Sequence, residues 1–366
     1  MCIGVMYMRK MVAGVAAALL AVILAFPCYA LSAEKAIVMD AQTGRVLFEK
    51  NADSRSLIAS TTKIMTALIV CEQCNVLDRM RIPKEATGIE GSSMYLKVGE
   101  VLTIQELLYG LMLQSGNDAA VALAIYCGGT VEGFAELMND KAHQIGLQNT
   151  HFVNPNGLDA PDHYSTARDL AILAAYAMQN PIFSRTVSAK TVRAGGRTFT
   201  NHNKLLWQYP GADGVKTGFT KKAGRILVST ATRDGRRLTA VTMNAPDDWE
   251  DHKAMLDDGF NRYRLIKIVE KGQILGTIEV AGGTHGYVQL IASDDFYYPL
   301  SADEKTGILL PKPGFVYAPV VAGTSAGHAY VCVDGVAVGT CALIYGNTVE
   351  QQEIERKSIW QKIFRR

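Results

Sequence analysis

Two pairs of short apolar strands, far apart in the chain, constrain what this sequence can fold into more than any other feature. Ala36 to Asp40 and Arg45 to Glu49 flank Asp40-Ala41-Gln42-Thr43-Gly44 and read as a hairpin. Strands return at Arg225 to Thr232 and Arg237 to Met243, joined by a turn at Arg233-Asp234-Gly235. A mostly helical stretch lies between them, from about Ser60 to Met178. The arrangement predicts an α/β fold in which one antiparallel sheet is built from both ends of a domain and a helical subdomain is inserted. The crevice between sheet and helices is the expected site.

Within the helical stretch, Thr103 with Glu106 reads as a capping box opening a helix through Leu113, and Thr166 with Asp169 as another opening a helix through Met178. A helix from about Trp249 to Lys267 is expected to close the domain. From about Ile268 to Asn347 the pattern changes to alternating strands with Gly and Asp turns, Asp334-Gly335 among them, which indicates a small separate β-rich domain. The expected organisation is residues 1–33 for export, 34–267 for a catalytic domain, 268–347 for the β-rich domain and 348–366 for a tail. No internal repeat is evident.

The N-terminus supports export. Arg9 and Lys10 precede an apolar run from Met11 to Pro27, followed by small residues at Cys28, Ala30 and Ala33, so that cleavage falls after Ala30 or Ala33. The alternative is a membrane anchor, for which this run is at the lower limit of length. Either reading puts the remainder outside the cytoplasm.

At the other end, Ile359, Trp360, Ile363 and Phe364 recur at helical spacing among Arg356, Lys357, Lys362, Arg365 and Arg366. A basic amphipathic helix of this kind suits the surface of an anionic membrane and predicts peripheral attachment. The formal net charge of the whole chain is only +2, with basic residues dispersed, which argues against a nucleic-acid partner.

Five cysteines follow the export segment: Cys71, Cys74, Cys127, Cys332 and Cys341. The odd number leaves at least one thiol unpaired within the chain, and a disulfide framework is not expected. Cys71 and Cys74 have the spacing of half a zinc or redox site, but no second pair of ligands is placed nearby. They read as two cysteines near the end of a helix.

Three short motifs carry the chemistry: Ser60-Thr61-Thr62-Lys63, Ser115-Gly116-Asn117 and Lys216-Thr217-Gly218. Each alone is weak, and their order and contexts give them force. Ser60 opens a helical run, so Lys63 lies one turn later on the same face, within reach of the hydroxyl. To act as a base this lysine must be neutral, which burial and a second cation both favour. Lys216 is the natural second cation.

Ser115 is expected to pass a proton between Lys63 and a leaving amine, and Asn117 to hold a substrate amide. Asp118 looks placed to cap the next helix. Gly218 would let a substrate backbone lie along a strand edge, with Lys216 and Thr217 offered to a C-terminal carboxylate.

These motifs occur together with His151-Phe152-Val153-Asn154-Pro155-Asn156-Gly157-Leu158, His163-Tyr164-Ser165-Thr166-Ala167-Arg168-Asp169-Leu170 and Asn203-Lys204-Leu205-Leu206. From about Glu34 to about Asn347 the sequence resembles the low-molecular-mass penicillin-binding proteins, and more narrowly the serine-type D-alanyl-D-alanine carboxypeptidases.

The resemblance implies a penicillin-recognising α/β fold, a β-rich domain and an amphipathic membrane tail. It implies Ser60 as acylated nucleophile, Lys63 as base, Ser115 and Asn117 as second motif, and Lys216, Thr217 and Gly218 as strand motif. The oxyanion hole would use the backbone N–H groups of Ser60 and Phe219. Phe219 stands where some members carry histidine, which bears on substrate preference rather than on the reaction. Peptidoglycan stem peptides are the implied substrate, β-lactams the implied inhibitors, and no metal or organic cofactor is implied.

Competing readings fare worse. A β-lactamase with this motif set relies on a glutamate in E-x-x-x-N after the second motif, and only Glu132 and Glu136 lie between Asn117 and Lys216. Gly323-Thr324-Ser325-Ala326-Gly327 fits G-x-S-x-G, yet the later histidine is the adjacent His328, so a Ser, acid, His order cannot be completed. It reads as a flexible turn in the β domain. No H-E-x-x-H is present to support a metallopeptidase. A sensor that acylates without turnover would share every motif and differ only in the rate of deacylation.

Overall fold

The computed structural model describes residues 31–310 and 314–353. The export segment up to residue 30 and the basic tail from residue 354 lie outside the described residues. The chain divides into two compact units, one of Met1–Met39, Phe48–Thr232 and Arg237–Asp257, the other of Asp40–Leu47, Arg233–Arg236 and Asp258–Arg366.

A five-stranded sheet unites the two ends of the first segment, as expected. Its strands are β1 (Lys35–Asp40), β2 (Val46–Lys50), β3 (Ala212–Thr220), β4 (Gly224–Arg233) and β5 (Arg236–Met243), in the order β2-β1-β5-β4-β3. Ala36, Ile37 and Val38 are all fully buried, so β1 reads as a continuous apolar run rather than an alternating one. The turn between β4 and β5 carries Asp234 and Gly235, both with positive φ. Two such residues in succession match the right-handed twist of the flanking strands. β3 is an edge strand and carries Lys216, Thr217 and Gly218.

The helical part is less continuous than expected. Its helices are α1 (Lys63–Gln73), α2 (Ile104–Met112), α3 (Asn117–Gly128), α4 (Val131–Gln144), α5 (Ala167–Ala177) and α6 (Pro181–Ser188). Residues 74–103 and 145–166 are mostly loop, with a small ladder between Arg79–Arg81 and Val101–Thr103. The second stretch carries Gly146, Pro155, Gly157 and Pro161, which interrupt helices. α1 is buried without a break from Lys63 to Cys71 and packs against α2 through α6. A helix apolar on all sides is one enclosed by others, and α1 is the core of this part.

The Thr103–Glu106 capping box is present in full. The second is only half a box. Thr166 accepts from the Asp169 backbone at 3.1 Å, but the Asp169 carboxylate takes the backbone N–H of Asn149 and the hydroxyl of Thr150 instead of turning back. Asp118 caps α3 only in part, one carboxylate oxygen accepting from the first-turn N–H of Ala119 at 2.9 Å. Its carboxylate accepts from the Ser93 hydroxyl and the backbone N–H groups of Met94 and Leu96, and so holds the loop over the helix start.

The expected helix at Trp249 to Lys267 ends early, at Arg262, and Arg264–Val269 is a strand paired antiparallel with Phe296–Leu300. Leu-Ile-Lys-Ile-Val favours the pleated state once a partner strand is available.

The second unit also holds a six-stranded sheet, in the order Thr306–Leu309, Ser325–Val333, Val336–Tyr345, Tyr287–Ala292, Ile274–Ala281 and Val316–Tyr317. Its core gathers Ile278, Val280, Val288, Leu290, Ala329 and Leu343. Gly323 and Thr324 lie in a turn and Ser325 opens a strand facing Ile344, with a register shift before Gly327, so the G-x-S-x-G match spans the end of the expected turn and the start of a ladder.

Cys74, at the end of α1, is joined to Cys127 near the end of α3 by a disulfide. This corrects the reading of Cys74 as a bystander, since packing of α1 on α3 brings together two cysteines 53 residues apart. Cys71 stays a free helix-end thiol, its pKa pushed up to about 12 by burial and by Glu72.

Candidate active site

The three motifs meet in the first unit. Ala59–Thr62 forms a tight 3-10 turn that runs directly into α1, and Ala59 enters it with a φ of 46°. The turn therefore presents Ser60 at the head of the helix with Lys63 beneath it. The Lys63 Nζ lies 2.9 Å from Ser60 Oγ, 2.6 Å from Asn117 Oδ1 and 2.5 Å from the carbonyl of Asn156.

A neutral amine has two protons and one lone pair. Asn117 and Asn156 supply two acceptors for those protons, so that deprotonation of Lys63 would leave its lone pair facing the Ser60 hydroxyl. Lys63 is fully buried, and its pKa is held well below the usual lysine range by that burial and then by the charge of Lys216, against a weaker pull from Asp118.

Asn117 is held in place from both sides of its amide, since Nδ2 donates to the Glu90 carbonyl at 2.5 Å. Ser115 takes a φ of 61°, rare for a residue with a side chain, at the turn before α3. It lines the cavity. Among the described residues no hydrogen bond joins it to Lys63.

Lys216 is buried with its Nζ 2.9 Å from the Thr217 carbonyl, and desolvation brings its pKa down to about 7. Gly218 has a reason that its motif did not reveal. A Cβ there would stand 3.3 Å from the backbone nitrogen of Ser60 and the carbonyl of Ile58. Glycine lets the edge strand lie against the nucleophile turn, not only beside a substrate. Phe219 is 64% exposed at the end of that edge.

Several supporting residues escaped sequence reasoning. His163 Nδ1 accepts from the Val153 backbone at 3.1 Å, so its Nε2 carries the proton and donates to Thr62 Oγ1 at 2.7 Å. Burial, followed by the charges of His151 and Lys63, lowers its pKa to about 4. The neutral ring clamps the turn that carries Ser60. Gly157, with a φ of 88°, lies so close to the Ala59 carbonyl that any Cβ would overlap it. The quoted Asn154 to Leu158 segment hinted at this loop; nothing in it announced that the Asn156 backbone would face Lys63.

The cavity above Ser60 measures about 640 Å³ and is lined by Ser60, Ser115, Thr217, Gly218 and Phe219. Its remaining wall includes His202, Lys204, Trp207, Arg225, Asp248 and Trp249. Glu132 and Glu136 are exposed on α4, away from this lining. No cluster of His, Cys, Asp or Glu able to hold a metal occurs among the described residues.

Comparison with known proteins identifies the family. Residues 23–247 match the family model described as D-alanyl-D-alanine carboxypeptidase, and residues 263–351 match that of the penicillin-binding protein 5 C-terminal domain. The D-alanyl-D-alanine carboxypeptidase DacF of Bacillus subtilis is 34% identical over 75% of this chain and 73% of its own. DacC of Escherichia coli is 33% identical over 86% of this chain and 84% of its own. Among solved structures, penicillin-binding protein 5 from Haemophilus influenzae superposes with a TM-score of 0.76 at 31% identity, covering 88% of this chain and 98% of that one.

Proposed function

The chain belongs to the D-alanyl-D-alanine carboxypeptidase family, and we propose that it releases the terminal D-alanine of peptidoglycan stem peptides through an acyl-enzyme on Ser60. It is a serine-type peptidase that works on cell-wall material and therefore outside the cytoplasm.

In the proposed sequence Lys63 takes the Ser60 proton as Oγ attacks the carbonyl of the penultimate D-alanine. The tetrahedral oxyanion is met by the backbone N–H groups of Ser60 and Phe219, each such donor worth about 3 kcal/mol of barrier in comparable sites. The C–N bond then breaks, and Ser115 relays the proton to the departing amine. Asn117 holds the substrate amide beside Lys63. Thr217 and Lys216 hold the terminal carboxylate, and this anion favours the charged form of Lys216. Water resolves the ester. A β-lactam enters the same steps and leaves slowly.

The observation that carries this reading is the buried Lys63 amine 2.9 Å from Ser60 Oγ, with Asn117 and Asn156 as its other acceptors and its pKa held well below the usual lysine range by burial and by Lys216. D-alanine release from a D-Ala-D-Ala peptide by the purified protein, beside Ser60→Ala, tests it. The substitution is expected to reduce release by about 10⁴-fold or more. Labelling of Ser60 by a fluorescent penicillin without any D-alanine release would convert the enzyme into a sensor.

The same reading takes residues 34–267 as catalytic domain, 268–347 as β-rich domain, 1–33 as export signal and 348–366 as a tail for peripheral membrane attachment. Cleavage after Ala30 suits the fold better than cleavage after Ala33. The backbone N–H groups of Ser32 and Ala33 both bond to the buried Asp251 carboxylate at 3.0 Å, and the later cut would remove them.

A further inference from the structure

One group of charged side chains in the cavity has no part in the steps above. Arg225 faces Phe219 directly across the ladder between β3 and β4. Residues so paired project from the same face of a sheet with their Cβ atoms about 5 Å apart. The guanidinium uses a single nitrogen, Nη2, to reach both oxygens of Asp248, at 2.7 and 2.9 Å. Its centre lies 5.7 Å from the ring of Trp249. Nε is buried with no hydrogen-bond partner, and Nη1 has none among the described residues.

We propose that Arg225, oriented by Asp248 and Trp249, reads a free carboxylate on the side chain of the peptide residue that precedes the two D-alanines. This rests on the acyl-enzyme reading, which fixes the direction of the substrate. With the terminal carboxylate at Thr217 and the scissile carbonyl at the Phe219 N–H, the peptide continues beyond Phe219, past Arg225.

The side chains differ in exposure in the way this role requires. Asp248 is 2% exposed and Arg225 42%, so the acid is a buried anchor and the guanidinium is the part that a ligand meets. Asp248 is also the sole acid among the cavity-lining residues, beside Lys204 and Arg225, so the site favours an anion. A planar guanidinium with unused N–H groups matches a carboxylate and discriminates it from the corresponding amide.

The test uses three acetylated tripeptides ending in D-Ala-D-Ala. Their first residue is diaminopimelate with a free side-chain carboxylate, the same residue with that carboxylate amidated, or lysine. The expected result is a kcat/KM about tenfold higher for the free carboxylate, carried by KM. Arg225→Ala should abolish the preference while leaving lysine-peptide turnover close to wild type, and Arg225→Lys should restore part of it.

Equal rates for carboxylate and amide in the wild type, or an equal loss on all three peptides in Arg225→Ala, overturns the proposal. The same peptides are also compared by how far each slows Ser60 labelling with a fluorescent penicillin. If nothing is hydrolysed but this discrimination persists and depends on Arg225, the carboxypeptidase reading falls and the Arg225 reading stands.

Discussion

The two units differ most in what they bury. The first encloses a dense set of polar side chains, among them Lys63, Ser115, Asn117, Asn156, His163, Lys216 and His252. In the second, the buried polar side chains are Asp40 and Arg236, which neutralise each other at 2.7 Å. The other buried side chains described there are apolar, Leu47 and then those from Val269 to Val349. A buried polar group is costly unless it is hydrogen-bonded, so a unit that carries many of them is organised around what they do. The second unit follows the ordinary rule of strands, apolar inward and exposed outward, and its described residues hold no comparable buried polar cluster.

The contrast can be broken most directly at Lys63. Lys63→Met keeps most of the unbranched side chain and removes the amine, and should slow acylation of Ser60 by a labelled penicillin by about 10³-fold or more. Near-normal acylation would mean that the buried polar cluster is not organised around this base.

Leu290 offers the reciprocal test. It is buried in the apolar core of the second unit, and Leu290→Ala should lower the stability of that unit by about 2–5 kcal/mol. Penicillin acylation at low temperature should remain unchanged. A parallel fall in acylation would show that the division of labour is false.

Acid sharpens the comparison with a smaller effect. His163 and His252 have pKa values lowered to about 4 and about 3, in both cases chiefly by burial. Between those values and the ordinary value near 6.5 the unfolded chain binds protons that the folded one refuses. Their stabilising contribution is therefore complete above about pH 6.5 and is lost as the pH falls. At pH 5 each histidine accounts for on the order of 2 kcal/mol at most. Unfolding of the first unit, followed by fluorescence of Trp207 and Trp249, should shift to lower denaturant as the pH drops from 7 to 5. His252→Asn should flatten that dependence, and an unchanged slope would contradict the buried-neutral assignment.

Much of the fold was legible because it rests on local rules. The Thr103 capping box, the Asp234-Gly235 and Asp334-Gly335 turns and the apolar strand runs are each decided within a few residues, by φ preferences and nearby N–H groups. The helix end beyond Arg262 was misread because Leu265 to Val269 suits either state until a partner strand is present. Asp118 was read only in part for a related reason. A carboxylate at a helix start is a natural cap, and the loop from Ser93 to Leu96 gives it a second task that no local pattern announces.

The sequence by itself determined which chemical groups the chain has to work with and the order in which they come, because a hydroxyl, an amine and a glycine are properties of residues. The tertiary structure decided their state. The pKa of Lys63 is lowered because distant segments remove water from it and bring Lys216 close, and the carbonyl of Asn156 and the amide of Asn117 are there to accept its protons. The disulfide between Cys74 and Cys127 and the anchoring of Arg225 by Asp248 are decided in the same way. Desolvation and through-space charge depend on who the neighbours are, and that is a property of the packed chain which no linear spacing records.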